Sequence, residues 1–433
     1  MRTGGRLSAA VEILEEVIDR HRPAGKVLLD WGRSHRFAGS RDRSVIGTLV
    51  YDALRRRNSI ASRMRDDVAR ALVLGAYCDA FEAGVEEVAQ VTDGSDHCLS
   101  PLTSDERAGL ERRLSDNAPL HIRGDFPQWL CEQFVGSFGS EERAIEAGAS
   151  LAKRAPLDLR VNSLKSSRER VLKVLSKLDA VEAPLAPFGV RIPVAQAGGK
   201  MPNVEVEAGH GKGWFEIQDA GSQVAAALSG AGPREQVLDL CAGAGGKTLA
   251  LAASMQNTGQ VYSYDKNRFQ LRPIFERLKR AGARNVQVMT AGDRDALQEM
   301  AGRFDLVFVD APCSGSGTWR RRPDAKWRLK REHLIKREQE QRDVLDQAAS
   351  MVRPGGRLCY VTCSIFAQEN GDQVAAFLSR HQMFSWKPFA QVWGAHMSGE
   401  PPVSADGSAN GLLLTPDVHG TDGFYIATIV KAA

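Results

Sequence analysis

From about Trp214 to the C-terminus, five short apolar runs, "QVLDLC", "QVYSYD", "NVQVM", "DLVFVD" and "RLCYVTCS", alternate with stretches of helical character. Runs that are apolar on both faces and separated by helices are strands of a parallel sheet covered on both sides. This alternation constrains the chain more than any other feature: it predicts a doubly wound α/β domain over residues 216–433. Two later stretches, "GLLLT" and "GFYIATIV", read as an antiparallel pair on the sheet edge. A chain of 433 residues has room for more than this. Residues 1–135 read as all-helical, with Val11, Leu14, Val17 and Ile18 at helical spacing, and with Val45, Ile46, Leu49, Val50 and Leu54 repeating the pattern. Residues 140–215 read as a small α+β unit in which Ser166 or Ser167 caps a helix.

The net charge of +4 says little about partners. Its distribution says more, because residues 1–70 carry 15 Lys/Arg against 9 Asp/Glu, and residues 320–331 carry seven against one. Seven cysteines without paired spacing do not make a disulfide framework. The N-terminus has no apolar signal core, and no run approaches a membrane span, so a cytoplasmic location with reduced thiols is expected.

Chemistry concentrates at the ends of the apolar runs, where open α/β sheets place their ligands. "VLDLCAGAGGKT" is a strand, a glycine-rich turn and a helix start, with Cys241, Ala242, Gly243, Ala244, Gly245, Gly246 and Lys247 forming the turn. It lacks the spacing of a P-loop and of a dinucleotide fingerprint. Asp239 lies near the end of the first strand, Asp265 ends the second, Asp293 follows the third and Asp310 ends the fourth. Acids at four successive strand ends suit a cationic adenosine derivative better than a pyrophosphate, and S-adenosylmethionine fits.

After Asp310, Pro312 stops the strand and puts Cys313 on a stiff corner that Gly315 and Gly317 allow to turn. Cys363 ends the fifth strand, so the two cysteines should face one crevice, while Cys359 reads as core. A thiolate is what a pyrimidine needs here. Its addition at carbon 6 makes carbon 5 nucleophilic enough to take a methyl group, Asp310 can hold or protonate the ring nitrogen, and Lys247 can lower a nearby thiol's pKa. A metal site is not expected, because Cys241, Cys313 and Cys363 come with no C-x₂-C pair and no spaced His.

The motifs "LRVNSLK", "WFEIQDAGSQ", "LDLCAGAGGKT", "DAPCSGSGTWRRRPDAKW", "TCS" followed by "QEN", and "DGFYIA" occur in this order. With them the chain resembles the Nop/Sun family of RNA cytosine-5 methyltransferases, with the domain order of the bacterial RsmB-type (Sun/Fmu) 16S ribosomal RNA enzymes. The resemblance implies a Rossmann-like class I methyltransferase domain with a mostly parallel seven-stranded sheet, preceded by a NusB-like helical RNA-binding domain. It implies that Cys363 attacks cytosine carbon 6 and that Cys313 serves product release. It assigns Asp310 and Lys247 to catalysis, and the turn 241–247 with Asp265, Asp293 and Asp310 to S-adenosylmethionine. The family turn usually reads Ala-Ala-Pro-Gly-Gly-Lys, whereas this chain has Ala242-Gly243-Ala244-Gly245-Gly246-Lys247 and so lacks the proline, and Gln270 stands where relatives often have Arg. In this frame Arg320, Arg321, Arg322, Lys326 and Arg328 are expected on RNA phosphates, with Trp319 or Trp327 stacking on a base or packing under the loop. The expected substrate is ribosomal RNA and the expected state a monomer. Transfer RNA as substrate, or a non-catalytic assembly factor that binds RNA, are the alternatives.

Overall fold

The structure is a computed structural model that describes residues 1–199 and 201–433. Its N-terminal part packs α1 (Thr3–Asp19), α2 (Ala24–Ser34), α3 (Ser40–Arg55), α4 (Arg57–Met64) and α5 (Ala69–Phe81) around their own core. Leu14, Leu49, Val50, Leu72 and Leu74 are completely buried there. The periodic apolar positions of the sequence therefore face one another across α1, α3 and α5.

Helices continue to Leu151, beyond the expected limit at 135. Residues 126–151 are helical because Ser140 caps the last helix, its side chain accepting from the Arg143 N–H. They pack elsewhere, however: Phe126, Phe134 and Leu151 belong to the core under the large sheet, not to the N-terminal bundle. A small antiparallel sheet follows, with β1 (Leu157–Val161), β2 (Val181–Glu182), β3 (Gly189–Ile192) and β4 (Phe215–Ile217) in the order β2-β3-β1-β4. Ser167 is the helix cap within it. Because β4 closes this sheet, the small unit runs slightly past residue 215.

The large sheet holds β5 (Gln236–Asp239), β6 (Gln260–Asp265), β7 (Val286–Thr290), β8 (Phe304–Asp310), β9 (Val352–Thr362), β10 (Phe384–Lys387), β11 (Leu412–Leu414) and β12 (Phe424–Lys431). Their order is β10-β12-β9-β8-β5-β6-β7, with β11 as an eighth strand beside β12. Strands β5 to β9 are parallel and Rossmann-like, with helices on both faces. The two closing stretches do pair antiparallel, but β12 is not an edge: it lies between β9 and β10. The chain can bury β12 because "FYIATI" is apolar apart from Thr428, and the edge falls to the shorter β10, "FSWK". Order reverses at β5, with β6 on one side and β8 on the other, so the carboxyl ends of β5, β6, β8 and β9 surround one crevice.

Candidate active site

Two strand ends supply the sulfurs. Strands β8 and β9 are parallel neighbours in register from Leu306/Arg357 to Asp310/Val361, which carries Cys313 and Cys363 just past the same edge. Their Sγ atoms are 3.3 Å apart and neither cysteine is in a disulfide. The corner between them is tied by backbone: the Gly317 N–H donates to the Cys363 carbonyl at 2.9 Å, and Gly423 N–H donates to the Gly317 carbonyl at 2.8 Å. A Cβ on Gly317 would lie 2.1 Å from the Gly423 carbonyl oxygen, so only glycine lets β12 approach this closely. Cys359, on β9 four residues before Cys363, is fully buried, and burial pushes its thiol up to about 12.

Charge differs on the two sides of the sulfur pair. Lys247, in the first turn of the helix Gly246–Ser254, donates to Asp310 Oδ2 at 2.6 Å and is almost wholly buried. Burial alone would lower its pKa. The Asp310 charge and hydrogen bond, with a smaller part from Cys363, outweigh this and raise it, so the amine stays an ammonium. The Cys313 thiol is pushed well above its ordinary value, first by its hydrogen bond with Cys363, then by burial, the Cys363 charge and the Glu369 charge.

The glycine turn sits beside these groups. Gly243 has φ +51° with open space where a Cβ would be, so the turn offers bare backbone to a ligand. Asp265 holds the turn from the neighbouring strand end, accepting from Gly243 N–H at 3.0 Å and Asn267 N–H at 2.7 Å. Asp239 is completely buried; burial pushes its carboxyl up to about 7 against a 2.7 Å hydrogen bond from Thr248. Its Oδ1 has no partner among the described residues. Asp293 is exposed beyond β7, where its Oδ2 accepts from the Thr290 N–H at 2.7 Å and the Thr290 hydroxyl at 2.9 Å. Cys241 is partly buried, and burial with the surrounding carboxylates pushes its thiol up, above the ordinary range. A crevice with bare turn backbone, an unpartnered buried carboxylate oxygen and three further acids fits a sulfonium-bearing adenosine.

The comparisons agree with this geometry. Residues 227–430 match the family model described as 16S rRNA methyltransferase RsmB/F, and residues 126–197 match the RsmF/B-like ferredoxin-like domain. The ribosomal RNA small subunit methyltransferase B of Yersinia pseudotuberculosis is 32% identical over 327 residues, 74% of this chain and 69% of that protein. The chain belongs to the RsmB/F family of 16S rRNA methyltransferases. A probable small subunit methyltransferase B from Synechocystis is 29% identical over 423 residues, 90% of this chain and 92% of that one. Among solved structures, a methyltransferase homologue from Pyrococcus horikoshii shares 27% identity with a TM-score of 0.57, covering 72% of this chain and 97% of that one. NSun6 from the same organism, solved with SFG, shares the fold at a TM-score of 0.62 and 22% identity, covering 71% of this chain and 99% of that one. Like its family, the protein uses S-adenosylmethionine. No described helix is long and apolar enough to cross a membrane.

Within this RsmB/F chain, one site residue went unassigned from sequence although its motif was noted. Glu369, of "QEN", is fully buried between the two cysteine loops. It accepts from Ser314 N–H at 2.7 Å, from the Ser314 and Ser364 hydroxyls, and from Gln341 Nε2 at 3.0 Å. Gln341 also donates to the Pro312 carbonyl at 2.9 Å. One carboxylate thus fastens the residue after Cys313 to the residue after Cys363. Burial pushes its carboxyl up, against those hydrogen bonds.

The arginine block is not where the sequence reading put it. Arg320 is buried and paired with Asp422 and Asp219, and Arg321 pairs with the same two acids. Lys326 is 1% exposed and donates to the Arg55 and Asp125 carbonyls, with burial lowering its pKa to about 8. Arg328 pairs with Asp324 at 2.8 Å. Only Arg322 of the five is exposed. Trp319 is buried against Phe134 and Phe366, and Trp327 donates to the Leu54 carbonyl at 2.6 Å. With Arg55 Nε donating to the Arg320 carbonyl at 2.8 Å, the block docks the helical domain onto the catalytic domain. Arg320 and Lys326, buried and held by acids or carbonyls, are not placed to meet phosphates.

Proposed function

We propose that the protein forms 5-methylcytosine in 16S ribosomal RNA, in a cytoplasmic location, through a covalent bond between Cys363 and carbon 6 of the target base. The pairing of two free cysteines at 3.3 Å, with Lys247–Asp310 on one side and Glu369 on the other, carries this reading. The names of the RsmB/F relatives support the ribosomal substrate. The chain is organised as an N-terminal helical domain of NusB-like character, a small α+β unit and the catalytic domain.

S-adenosylmethionine supplies an electrophilic methyl group. The turn 241–247 and Asp265, Asp293 and Asp310 would hold it, with the carboxylates accepting hydroxyl and amine donors and offsetting positive charge. Asp310 orients the base, and the Lys247 ammonium stabilises negative charge in the crevice as the Cys363 sulfur bonds carbon 6. The electron pair displaced to carbon 5 would form the bond to the methyl carbon as the bond from that carbon to the sulfonium sulfur breaks, its electron pair returning to the sulfur, which leaves as a neutral thioether. Release then requires loss of the carbon 5 proton, re-formation of the 5,6 double bond and departure of the Cys363 sulfur with its electron pair.

Cys313 is suited to take that proton late rather than early. While Cys363 is free, its hydrogen bond and charge hold Cys313 protonated. Once the Cys363 sulfur is a neutral thioether, its charge no longer opposes ionisation of Cys313, and burial and the Glu369 charge are the causes that remain. Incubation with S-adenosylmethionine and small-subunit RNA, followed by denaturing gels, tests this. Cys313→Ala should accumulate a protein–RNA adduct and Cys363→Ala none. Adduct from Cys363→Ala alone would reverse the two roles, and radiolabelled methyl transfer to transfer RNA but not ribosomal RNA would replace the substrate.

A further inference from the structure

With Arg320 and Lys326 buried and Arg321 and Arg328 paired with acids, only Arg322 of the 320–328 block is left exposed, and one corner of the helical domain has the composition to meet RNA. Between α2 and α3 the chain reads "RSHRFAGSRDR", residues 33–43. Arg33, Arg36, Arg41 and Arg43 are all exposed. The adjacent acids are already committed: Asp30 pairs with Arg22 at 2.7 Å, and Asp42 with Arg6 at 2.8 Å and with the N-terminus. Arg33 reaches Asp30 only at 4.0 Å, and neither Arg36 nor Arg41 pairs with a carboxylate among the described residues. The corner therefore keeps a positive charge that the protein itself does not neutralise.

It also carries an aromatic ladder. Trp31, at the end of α2, is buried and stacks on His35 with ring centroids 4.2 Å apart and planes 13° apart. The His35 ring is fixed by a 2.9 Å contact between Nδ1 and the Trp31 carbonyl. Phe37 meets His35 edge-on at 5.7 Å and is 71% exposed. A large aromatic held outward on a supported stack has no packing role at its outer face. Beside it opens a cleft of about 500 Å³ lined by Trp31, Arg43, Tyr51, Arg154, Arg320 and Arg321. Its far wall is thus the segment that follows the Cys313 loop.

We propose that this corner is a platform for the unpaired RNA flanking the target base, with Phe37 stacking on a base and Arg36 and Arg41 on phosphates. The inference rests on RNA being the substrate. A base in single-stranded RNA exposes the π-face that Phe37 needs, whereas a duplex does not. The cleft would then carry the strand from the platform to Arg320 and Arg321, in the segment that follows the Cys313 loop.

The test uses the full chain and a fluorescein-labelled, unstructured oligoribonucleotide, followed by anisotropy over a salt series. Phe37→Ala should weaken binding about tenfold with the salt slope kept. The double variant Arg36→Glu, Arg41→Glu should flatten that slope by about 1.4, since each phosphate contact on a single strand contributes about 0.7. S-adenosylmethionine binding by calorimetry should be unchanged in both. Wild-type affinity and slope in both variants would overturn the platform, as would duplex RNA competing as well as the single strand. Unchanged affinity for the oligoribonucleotide with lost binding to small ribosomal subunits would also overturn it, and assign the corner to a ribosomal protein. Wild type that binds S-adenosylmethionine but no RNA would instead overturn the reading beneath it.

Discussion

The ends of β8 and β9 present the same atom in the same crevice, yet their surroundings differ. Cys313 follows a proline, its loop is fastened at Ser314 to buried Glu369, and its thiol is pushed up. Cys363 lies within charge range of Lys247, which a salt bridge to Asp310 keeps positive. Two chemically identical side chains, 3.3 Å apart, are divided by the sign of the neighbouring charge. Position on the sheet selects the pair, and electrostatics divides the labour within it.

The sharpest way to break this comparison is to remove each sulfur in turn. Cys363→Ala should lower methyl transfer by roughly a thousandfold or more, the scale of losing a covalent nucleophile, while S-adenosylmethionine binding survives. Cys313→Ala should complete one turnover and stall, so single-turnover methyl incorporation stays near wild type and steady-state turnover collapses. Equal loss of the first turnover in both variants would mean that the division of roles is absent.

Next in size is the cation. Lys247→Met should reduce the rate of adduct formation about a hundredfold, as for the loss of one preorganised charge at a reacting centre. It also leaves Asp310 without its 2.6 Å partner, so the Michaelis constant for RNA should change along with turnover. Adduct formation at the wild-type rate would show that Lys247 only holds Asp310.

The carboxylate comes third. Glu369→Gln keeps the shape and removes the charge, so alkylation of Cys313 in a Cys363→Ala background should begin at lower pH than with Glu369 present. Stability should respond as well. A carboxyl raised above its unfolded value contributes stability that is fully present below the unfolded carboxylate range and is lost as pH rises through the folded value. The Gln variant is neutral throughout, so chemical denaturation across that window should show a smaller decline than in wild type.

How much of this was legible beforehand follows from the range of the interactions. The parallel strands could be read because burial on both faces writes a continuous apolar run into "DLVFVD" and "RLCYVT". The two cysteines and Asp310 were readable because they sit just past such runs. The fate of Arg320 and Arg321 was not, since their acids, Asp219 and Asp422, lie about 100 residues away in opposite directions. A cation in a sequence looks the same whether a distant carboxylate will bury it or leave it free. The interior position of β12 was hidden likewise, because an edge is defined by where β10 goes. Glu369 stood in a noticed motif, but its role exists only once the two cysteine loops meet around it.

The smallest effects separate the two loops most finely. Ser314 and Ser364 each donate a hydroxyl to Glu369, one from each cysteine loop. Removing either should cost about 1–2 kcal/mol of local order, or roughly five- to thirtyfold in the step that depends on it. Ser314→Ala loosens chiefly the Cys313 side, its hydroxyl meeting Ser364 Oγ only at 3.4 Å, so adduct should form near the wild-type rate and decay slowly. Ser364→Ala loosens the Cys363 side; that hydroxyl also bonds Ser316 Oγ at 3.0 Å and accepts from Phe366 N–H at 3.1 Å, so adduct should form slowly and decay normally. Rapid-quench measurement of formation and decay in the two variants reads both steps. If each variant slowed both steps equally, Glu369 would be holding a single rigid unit, and the difference between the strand ends would rest on charge alone.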